Sequence, residues 1–111
     1  MNLTYIVDID NTICWTRRNA QGKWDYPNST PFEERINRIN DLYDKGHTII
    51  YWTARGSGSG IDWTVLTKQQ LDSWGCKYHE VRLGKPSYDI WIDDKAFNDE
   101  HFFDFHRKLP A

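Results

Sequence analysis

The chain has 111 residues, the usual length of one domain, and 39% of them are hydrophobic, including six Trp, six Tyr and five Phe. This apolar content is enough for a packed core and excludes disordered and collagen-like chains. The formal net charge of −2 gives no general electrostatic attraction to nucleic acid or to anionic lipid.

The sequence also limits where the protein is expected to act. It has no apolar run near the roughly 20 residues of a membrane-spanning helix, and residues 3–9 are too short and too acidic for a secretory signal. Its two cysteines, Cys14 and Cys76, form neither a disulfide framework nor a metal-ligand spacing. We therefore expect reduced thiols, a cytoplasmic protein, and no membrane or nucleic-acid partner.

The first predicted element is a buried parallel strand over residues 3–8, a β-rich apolar run that ends in acids. Residues 15–29 are polar and contain Trp without a clear period, which predicts a loop or a small hairpin flap. Thr30 then predicts an N-cap, with Pro31 as the first residue of a helix. Gly46 is expected to end this helix.

The second half of the chain repeats the pattern of strand and helix. Residues 47–53 predict a second strand, and the Gly-Ser tract over residues 56–60 predicts a mobile loop after it. Helical periodicity over residues 63–74 predicts a second helix, which Gly75 is expected to end. Three further predicted elements follow: short strands over residues 79–83 and 89–92, and a terminal helix over residues 98–108.

Strands that alternate with amphipathic helices predict an α/β fold, a three-layer α/β/α, Rossmann-like sheet of mostly parallel strands, in one domain over residues 1–111. Ligands bind such sheets beyond the carboxyl ends of the strands. Polar residues flank the predicted strands at these ends: Asp8, Asp10, Asn11 and Thr12 after the first, Thr53 and Arg55 after the second, Lys85 before the last, and Asp93 and Asp94 after it.

Several carboxylates in one crevice repel one another unless cations lie among them. Oxygen ligands without Cys or His favour Mg²⁺, which typically shares a phosphate oxygen with a substrate. Asp8 and Asp10 are two residues apart, so both side chains leave the same face of an extended segment. One carboxylate can then attack phosphorus while the other handles the proton of the leaving group, which predicts a phosphate substrate.

Four ordered motifs resemble those of the haloacid dehalogenase superfamily of phosphatases, and the resemblance spans the chain nearly end to end. The motifs are Asp8-Ile9-Asp10-Asn11-Thr12, the apolar run that ends in Thr53, the isolated Lys85, and the apolar run that ends in Asp93-Asp94. Within that superfamily, three segments resemble the small capsule biosynthesis phosphatases: Trp52-Thr53-Ala54-Arg55-Gly56, Gly84-Lys85-Pro86 and Ile92-Asp93-Asp94-Lys95-Ala96.

The resemblance implies an HAD-like fold and a Mg²⁺-dependent phosphoric monoester hydrolase that forms an aspartyl-phosphate. It implies four catalytic roles: Asp8 as nucleophile, Asp10 as acid and then base, Thr53 as a hydrogen-bond donor to the phosphoryl group, and Lys85 as the cation that offsets its charge. It also implies a Mg²⁺ site formed by Asp8, the backbone carbonyl of Asp10, and Asp93, with Asp94 as a direct or indirect ligand.

Substrate binding is assigned in the same way. The resemblance implies that backbone N–H groups of Ile9, Asp10, Asn11 and Thr12 cradle the phosphate, and that Ala54 lies beside the substrate. Two interpretations of Arg55 stay open: it binds the remote part of the substrate, or it pairs with a surface acid. Trp15 and Trp24 in the flap either stack on a substrate, seal a subunit contact or pack in the core.

The intervals between the motifs are too short for an inserted lid domain and imply a capless form. Exclusion of water from the site then falls to the flap, to the substrate or to a neighbouring subunit, so we expect a homo-oligomer. The resemblance implies a small phosphorylated metabolite as substrate, a sugar or polyol phosphate of capsule or surface polysaccharide synthesis.

Other functions remain as alternatives. A receiver-type phosphoacceptor signalling domain has similar residues, although it places its acidic pair before the lysine rather than after it. A nucleotide or nucleic-acid end phosphatase shares the phosphoryl chemistry, but the sequence has no basic stripe. A third alternative is a binding module that keeps the fold without catalytic activity. The presence of Asp8, Asp10 and Lys85 argues against it, because such a module would not need them. Taken singly, Asp10, Asn11, Thr12 or Asp94 could also be a helix cap.

Overall fold

A parallel sheet of three strands lies at the centre of the computed structural model, which describes residues 1–105. The elements in chain order are β1 (Thr4–Val7), β2 (Cys14–Trp15), a 3₁₀ turn (Tyr26–Asn28), β3 (Thr30–Pro31), α1 (Glu33–Asp44), β4 (Thr48–Trp52), α2 (Thr64–Ser73), β5 (Glu80–Arg82) and a π-helical turn (His101–Phe105).

The sheet has the order β1-β4-β5, with β4 in the middle and all three strands parallel. Val7 pairs with Tyr51, and Trp52 pairs with Arg82, so the carboxyl ends of the three strands lie at one edge of the sheet. A helix connects each strand to the next, as parallel neighbours require. The structure therefore confirms the predicted α/β class with parallel strands.

The core joins one face of each helix to the central strand. Ile36, Ile39 and Leu42 of α1 are buried together with Ile49 of β4 and Leu71 of α2. Each such side chain contributes about 1.5–3 kcal/mol when it leaves water. The same cluster includes apolar residues of the segment that follows β1, which fixes that segment against the core.

Both helices end at the glycines predicted from the sequence. Gly46 and Gly75 have φ values of 94° and 73°, the left-handed conformation that glycine adopts without steric cost. After α1, the N–H of His47 donates to the carbonyl of Leu42 at 3.1 Å. After α2, the N–H of Cys76 donates to the carbonyl of Leu71 at 2.9 Å, so both ends form the same hydrogen-bonded stop.

The predicted start of α1 is wrong by two residues. Thr30 and Pro31 form β3, which pairs antiparallel with β2, and the helix begins at Glu33 with Phe32 at its N-cap position. The N–H of Phe32 donates to the carbonyl of Ile13 at 2.9 Å, which holds the chain in extended form at this point. Pro31 fits such a short ladder because a proline is tolerated where no donor is needed.

The flap predicted over residues 15–29 forms a small hairpin. Its base is the pairing of β2 with β3, and an antiparallel bridge joins Arg18 to Trp24 near its tip. The N–H of Asp25 donates to the carbonyl of Arg17 at 2.9 Å, which continues the hairpin. The interval after β1 is thus occupied by the flap, while α2 and β5 occupy the interval between Thr53 and Lys85.

The strand predicted over residues 89–92 does not form, and β1 is an edge strand of the described sheet. Ile90 and Ile92 are 80% and 94% exposed, and Ile6 on β1 is also exposed. The segment is instead held by ring contacts, since Trp91 lies 5.1 Å from Tyr88 between centroids. Residues 89–92 thus have the composition of a strand but pair with no strand of the described sheet.

Of the terminal helix predicted over residues 98–108, the structure shows helical residues 99–100 that continue into the π-helical turn, and residues 106–108 lie outside the described residues. Phe103 from this turn is buried in the core cluster. Within residues 1–105, none of the helices has the length and apolar character needed to cross a membrane.

Candidate functional site

A cleft of about 270 Å³ opens beyond the carboxyl ends of β1 and β4. Seven of the residues proposed for the site line it: Asp8, Asp10, Asn11, Thr53, Ala54, Arg55 and Lys85. They come from three distant parts of the sequence, and the parallel sheet brings them together because its strands end at one edge. A larger groove of about 410 Å³ beside Phe32 and Phe103 contains none of them.

Asp8 and Lys85 form the central charged pair of the cleft. The Nζ atom of Lys85 lies 3.4 Å from Oδ1 of Asp8, and the Lys85 side chain is only 11% exposed. The hydroxyl of Thr12 donates to Oδ2 of Asp8 at 3.1 Å. Burial raises the pKa of Asp8, and the Lys85 charge and the hydrogen bonds from Ile9 and Thr12 offset this only in part.

The backbone of Lys85 is fixed on both sides. Its N–H donates to the carbonyl of Thr53 at 3.1 Å, and its carbonyl accepts from the hydroxyl of Ser57 at 2.7 Å. The ammonium also lies 5.1 Å from the ring centroid of Tyr88 and 5.8 Å from that of Trp91. These contacts hold a buried cation at the mouth of the cleft.

Thr53 follows β4 directly and is almost fully buried. Its backbone N–H donates to the carbonyl of Arg82 at 2.9 Å, which continues the pairing of the strands by one residue. Its Oγ1 accepts from the N–H of Arg55 at 3.1 Å. Because that bond uses the oxygen as acceptor, the hydroxyl hydrogen of Thr53 can be donated to an anion in the cleft.

Asp10 is paired in a way that neither interpretation of Arg55 included. Nε of Arg55 donates to Oδ2 of Asp10 at 3.0 Å, and Nη2 donates to Oδ1 at 2.9 Å. The Arg55 side chain is fully buried and that of Asp10 is 20% exposed. Of the two interpretations of Arg55, the one in which it pairs with a surface acid is therefore wrong, since its fully buried guanidinium binds Asp10, an acid of the cleft.

The predicted backbone cradle over residues 9–12 is largely engaged within the protein. The N–H of Asn11 donates to the carbonyl of Cys14 at 2.7 Å, and the N–H of Thr12 donates to the carbonyl of Ile9 at 3.1 Å. Asn11 adopts φ 61°, which turns the chain sharply after Asp10. The expectation that these two N–H groups bind phosphate is thus corrected, since their hydrogen bonds are made in the turn.

The structure does not bring Asp93 and Asp94 to the cleft. Both are exposed, Oδ1 of Asp93 accepts from the N–H of Lys95 at 2.8 Å, and its Oδ2 accepts from Nε1 of Trp91 at 3.3 Å. These hydrogen bonds lower the pKa of Asp93, that from Lys95 most. Since residues 89–92 do not pair with β1, nothing carries the two acids to the sheet edge.

The expected magnesium ligands are therefore not assembled in this arrangement. Among residues 1–105, no three Asp, Glu, His or Cys side chains come together as metal ligands. Asp8 contributes one carboxylate, while both oxygens of Asp10 accept hydrogen bonds from Arg55. The residues at the cleft do not fit the ligand set implied by the resemblance.

Several residues of the cleft were not identified from the sequence. Tyr26 and Tyr88 line it together with Trp24, so the rim is aromatic. Thr67 and Gln70 of α2 contact Arg55 from behind. Gln70 falls on the apolar face of the predicted helix, and a polar side chain in such a position is a sign of a buried polar contact.

The two cysteines are structural. Burial raises the pKa of Cys14 to about 11 and that of Cys76 to about 12, so both thiols stay protonated at neutral pH. Both are buried and unpaired. This agrees with the expectation of free thiols, and neither cysteine lines the cleft.

Fold and cleft together define a protein of the mixed α/β class with a polar cleft at the carboxyl edge of a parallel sheet. The chain is similar to a crystal structure of a target protein from Vibrio cholerae, with a TM-score of 0.75 and 26% sequence identity. The match covers 96% of this chain and 95% of that chain. No family model matches the sequence, and no curated protein matches it significantly.

Proposed function

We propose that the protein is a phosphoric monoester hydrolase that forms an aspartyl-phosphate on Asp8. The observation that carries this proposal is the 3.4 Å contact between Asp8 and Lys85 in a cleft that also contains Asp10 and Thr53. A carboxylate nucleophile, an adjacent ammonium, a hydroxyl donor and a second carboxylate are the groups that such phosphoryl transfer needs.

The proposal also includes the detailed type of α/β fold. A capless, three-layer α/β/α arrangement of the HAD-like type is supported by the strand order β1-β4-β5 with one helix between successive strands. The flap occupies the interval in which larger relatives, by the resemblance, would carry a lid. The positions of Asp8 after β1 and of Thr53 after β4 agree with the resemblance.

In the first step, a carboxylate oxygen of Asp8 forms a bond to phosphorus as the bond from phosphorus to the leaving oxygen breaks. A protonated Asp10 gives its proton to that oxygen, so a neutral alcohol leaves. Lys85 and the hydroxyl of Thr53 stabilise the charge on the phosphoryl oxygens, since both line the same cleft.

In the second step, the ionised Asp10 takes a proton from water, and the water oxygen attacks phosphorus. The bond between Asp8 and phosphorus breaks, which releases inorganic phosphate and the free carboxylate. Lys85, 3.4 Å from Asp8, stabilises the carboxylate as it leaves phosphorus. Each step leaves atoms and charge balanced with water as the only co-reactant.

A small phosphorylated metabolite fits the size and lining of the cleft. A volume of about 270 Å³ admits a phosphoryl group with a body of a few carbon atoms. The rings of Trp24, Tyr26 and Tyr88 provide flat apolar surfaces beside the polar groups, which suits a sugar. A sugar or polyol phosphate of surface polysaccharide synthesis is proposed from the resemblance.

Magnesium and a homo-oligomeric state are also proposals. The ion is proposed from the resemblance, and no step above passes through it. Association of subunits is supported by the exposed apolar side chains of Ile6, Ile90, Ile92 and Phe97. Cytoplasmic location likewise remains a proposal from the sequence.

A phosphate-release screen over sugar phosphates, polyol phosphates and nucleotides, with and without Mg²⁺, tests the proposed function. Asp8→Asn serves as the inactive variant, and Asp62→Asn, at a fully exposed position, is the matched control. We expect release by the wild type and the control but not by Asp8→Asn. Equal release by wild type and Asp8→Asn overturns the proposal, and a stable phosphoprotein without turnover would favour the receiver-type alternative.

A further inference from the structure

The Asp10 carboxylate is held by hydrogen bonds from two other parts of the chain. Arg55 donates to both of its oxygens, at 2.9 and 3.0 Å, in a bidentate pair. The hydroxyl of Thr16, from the flap, donates to Oδ1 at 2.6 Å. Three donors in a fixed geometry leave this carboxylate little rotational freedom.

Arg55 is itself fixed from behind. Its Nη1 donates to Oε1 of Gln70 at 2.6 Å and to Oγ1 of Thr67 at 3.2 Å, both on α2. The ring centroid of Tyr26 lies 4.8 Å from its guanidinium carbon. The fully buried guanidinium therefore directs four of its five N–H donors to protein acceptors.

The flap shares this network. Nε2 of Gln70 donates to the backbone carbonyl of Tyr26 at 2.7 Å. Thr16 lies in the flap next to β2 and reaches both Asp10 and Ser29, each at 2.6 Å. One set of hydrogen bonds thus runs from α2 through Arg55 to Asp10 and on to both arms of the flap.

We propose that Arg55 is a positioning residue that directs the Asp10 carboxylate, and that Thr16 of the flap completes this clamp. The inference rests on the proposed function, since it assigns Asp10 a proton transfer in both steps. Proton transfer depends on direction, and a displacement of about 1 Å in a catalytic group costs on the order of 10²-fold in rate. Lysine has no planar fork, so it cannot reproduce the bidentate pair.

The dependence of kcat on the leaving group distinguishes a positioning role of Arg55 from a role in protein stability alone. An alkyl phosphate needs a proton on its leaving oxygen, whereas the nitrophenolate of p-nitrophenyl phosphate leaves readily without one. We expect Arg55→Lys to lower kcat for an alkyl phosphate by about 10²-fold and that for p-nitrophenyl phosphate by less than about tenfold. KM changes little for either substrate, because Arg55 acts through Asp10.

Two further variants show whether a loss of activity in Arg55→Lys comes from misfolding. Thr16→Val keeps the shape of the side chain but removes the hydroxyl that donates to Asp10 and also contacts Ser29, so we expect the same selective loss on a smaller scale. Arg82→Lys alters an exposed arginine that is paired with Glu80 at 2.7 Å, and it is expected to behave as wild type. If Arg55→Lys and Thr16→Val keep the wild-type ratio of the two substrates while Asp10→Asn loses it, the inference is overturned.

A different measurement tests the proposed function. Phosphate release by Asp8→Asn decides that proposal, whatever the ratio of kcat values on the two substrates is for Arg55→Lys. A double-mutant cycle of thermal unfolding gives a readout without turnover, because Asp10→Asn and Arg55→Lys are expected to shift Tm non-additively. Additive shifts show that the two side chains are not coupled and overturn the inference by themselves.

Discussion

Lys85 and Asp8 lie 77 positions apart in the chain, yet Nζ of one approaches Oδ1 of the other to 3.4 Å at the end of β1. The backbone of Lys85 continues the pairing of Thr53, whose carbonyl accepts its N–H, and this brings the ammonium back across the sheet edge. A cation in this position can stabilise the negative charge of the carboxylate and that of a bound phosphoryl group at the same time.

Lys85→Met is expected to lower kcat for phosphate release by about 10²- to 10³-fold, because it removes the charge that stabilises the phosphoryl oxygens. Lys77→Met is the matched control, since Lys77 forms an exposed pair with Asp44 at 2.8 Å. Steady-state kinetics on the best substrate of the screen measures both. Wild-type kcat in Lys85→Met would remove this residue from the mechanism.

The raised pKa of Asp8 predicts a pH effect on stability. Burial makes the protonated carboxyl more favourable in the folded state than in the unfolded chain, whose ordinary value is 3.8. The stabilisation from this group is therefore complete below pH 3.8 and is lost as pH rises through the folded pKa. Urea unfolding of wild type and Asp8→Asn from acid to neutral pH should show a difference in unfolding free energy that changes in this window and is constant above it.

Charge balance at the cleft predicts a need for a divalent cation. Lys85 supplies one positive charge against Asp8 and a phosphate dianion, and Arg55 is already paired with Asp10. We expect a chelator to abolish phosphate release and Mg²⁺ to restore it, and Asp93→Asn, whose carboxylate lies away from the cleft, to require no more Mg²⁺ than the wild type. Asp89→Asn, in the same exposed segment, is the control. Full turnover in chelator would contradict the expectation.

Gly56 is required by the shape of the loop beside the cleft. Its φ is 83°, and a Cβ at this position would lie 2.1 Å from the carbonyl oxygen of Ile61. We expect Gly56→Ala to lower the free energy of unfolding by about 2 kcal/mol. A Cβ at Gly58 would have no atom within 4 Å, so Gly58→Ala should change the free energy of unfolding by less than about 0.5 kcal/mol. Chemical denaturation of both variants compares the two, and equal effects would reject the steric argument.

If subunits associate through the exposed apolar side chains of Ile90 and Ile92, light scattering should give a mass larger than that of one chain. Ile92 is 94% exposed, so Ile92→Glu should produce a monomer without unfolding the core. Val65→Glu, on an exposed position of α2, is the control and should keep the assembly. A wild-type protein that is monomeric at all concentrations, with full activity, would contradict the proposed homo-oligomer.

Much of the sheet and of the cleft could be predicted from the sequence. The apolar runs before Asp8 and Thr53 indicate buried parallel strands, and parallel strands bring the residues after their carboxyl ends to a common edge. Gly46 and Gly75 mark the helix ends because few other residues adopt the left-handed conformation there. These features depend on local pattern and on one general rule of sheet geometry.

Other features depended on contacts that no local pattern contains. The partner of Arg55 is 45 residues away, and its identity depends on how α2 packs against the segment after β1. Residues 89–92 have strand propensity but form a strand only if they pair with an edge of the sheet, and here Trp91 instead packs edge-on against Tyr88. Thr30 and Pro31 have the pattern of a helix start, yet pairing with β2 draws them into a ladder.

The hydrogen bond from the Ser57 hydroxyl to the carbonyl of Lys85 links the Gly-Ser loop to the cation of the cleft. Displacement of that loop would release one of the two backbone anchors of Lys85. We therefore expect substitutions in this loop to shift the position of the Lys85 ammonium and so to change the affinity of the cleft for added inorganic phosphate.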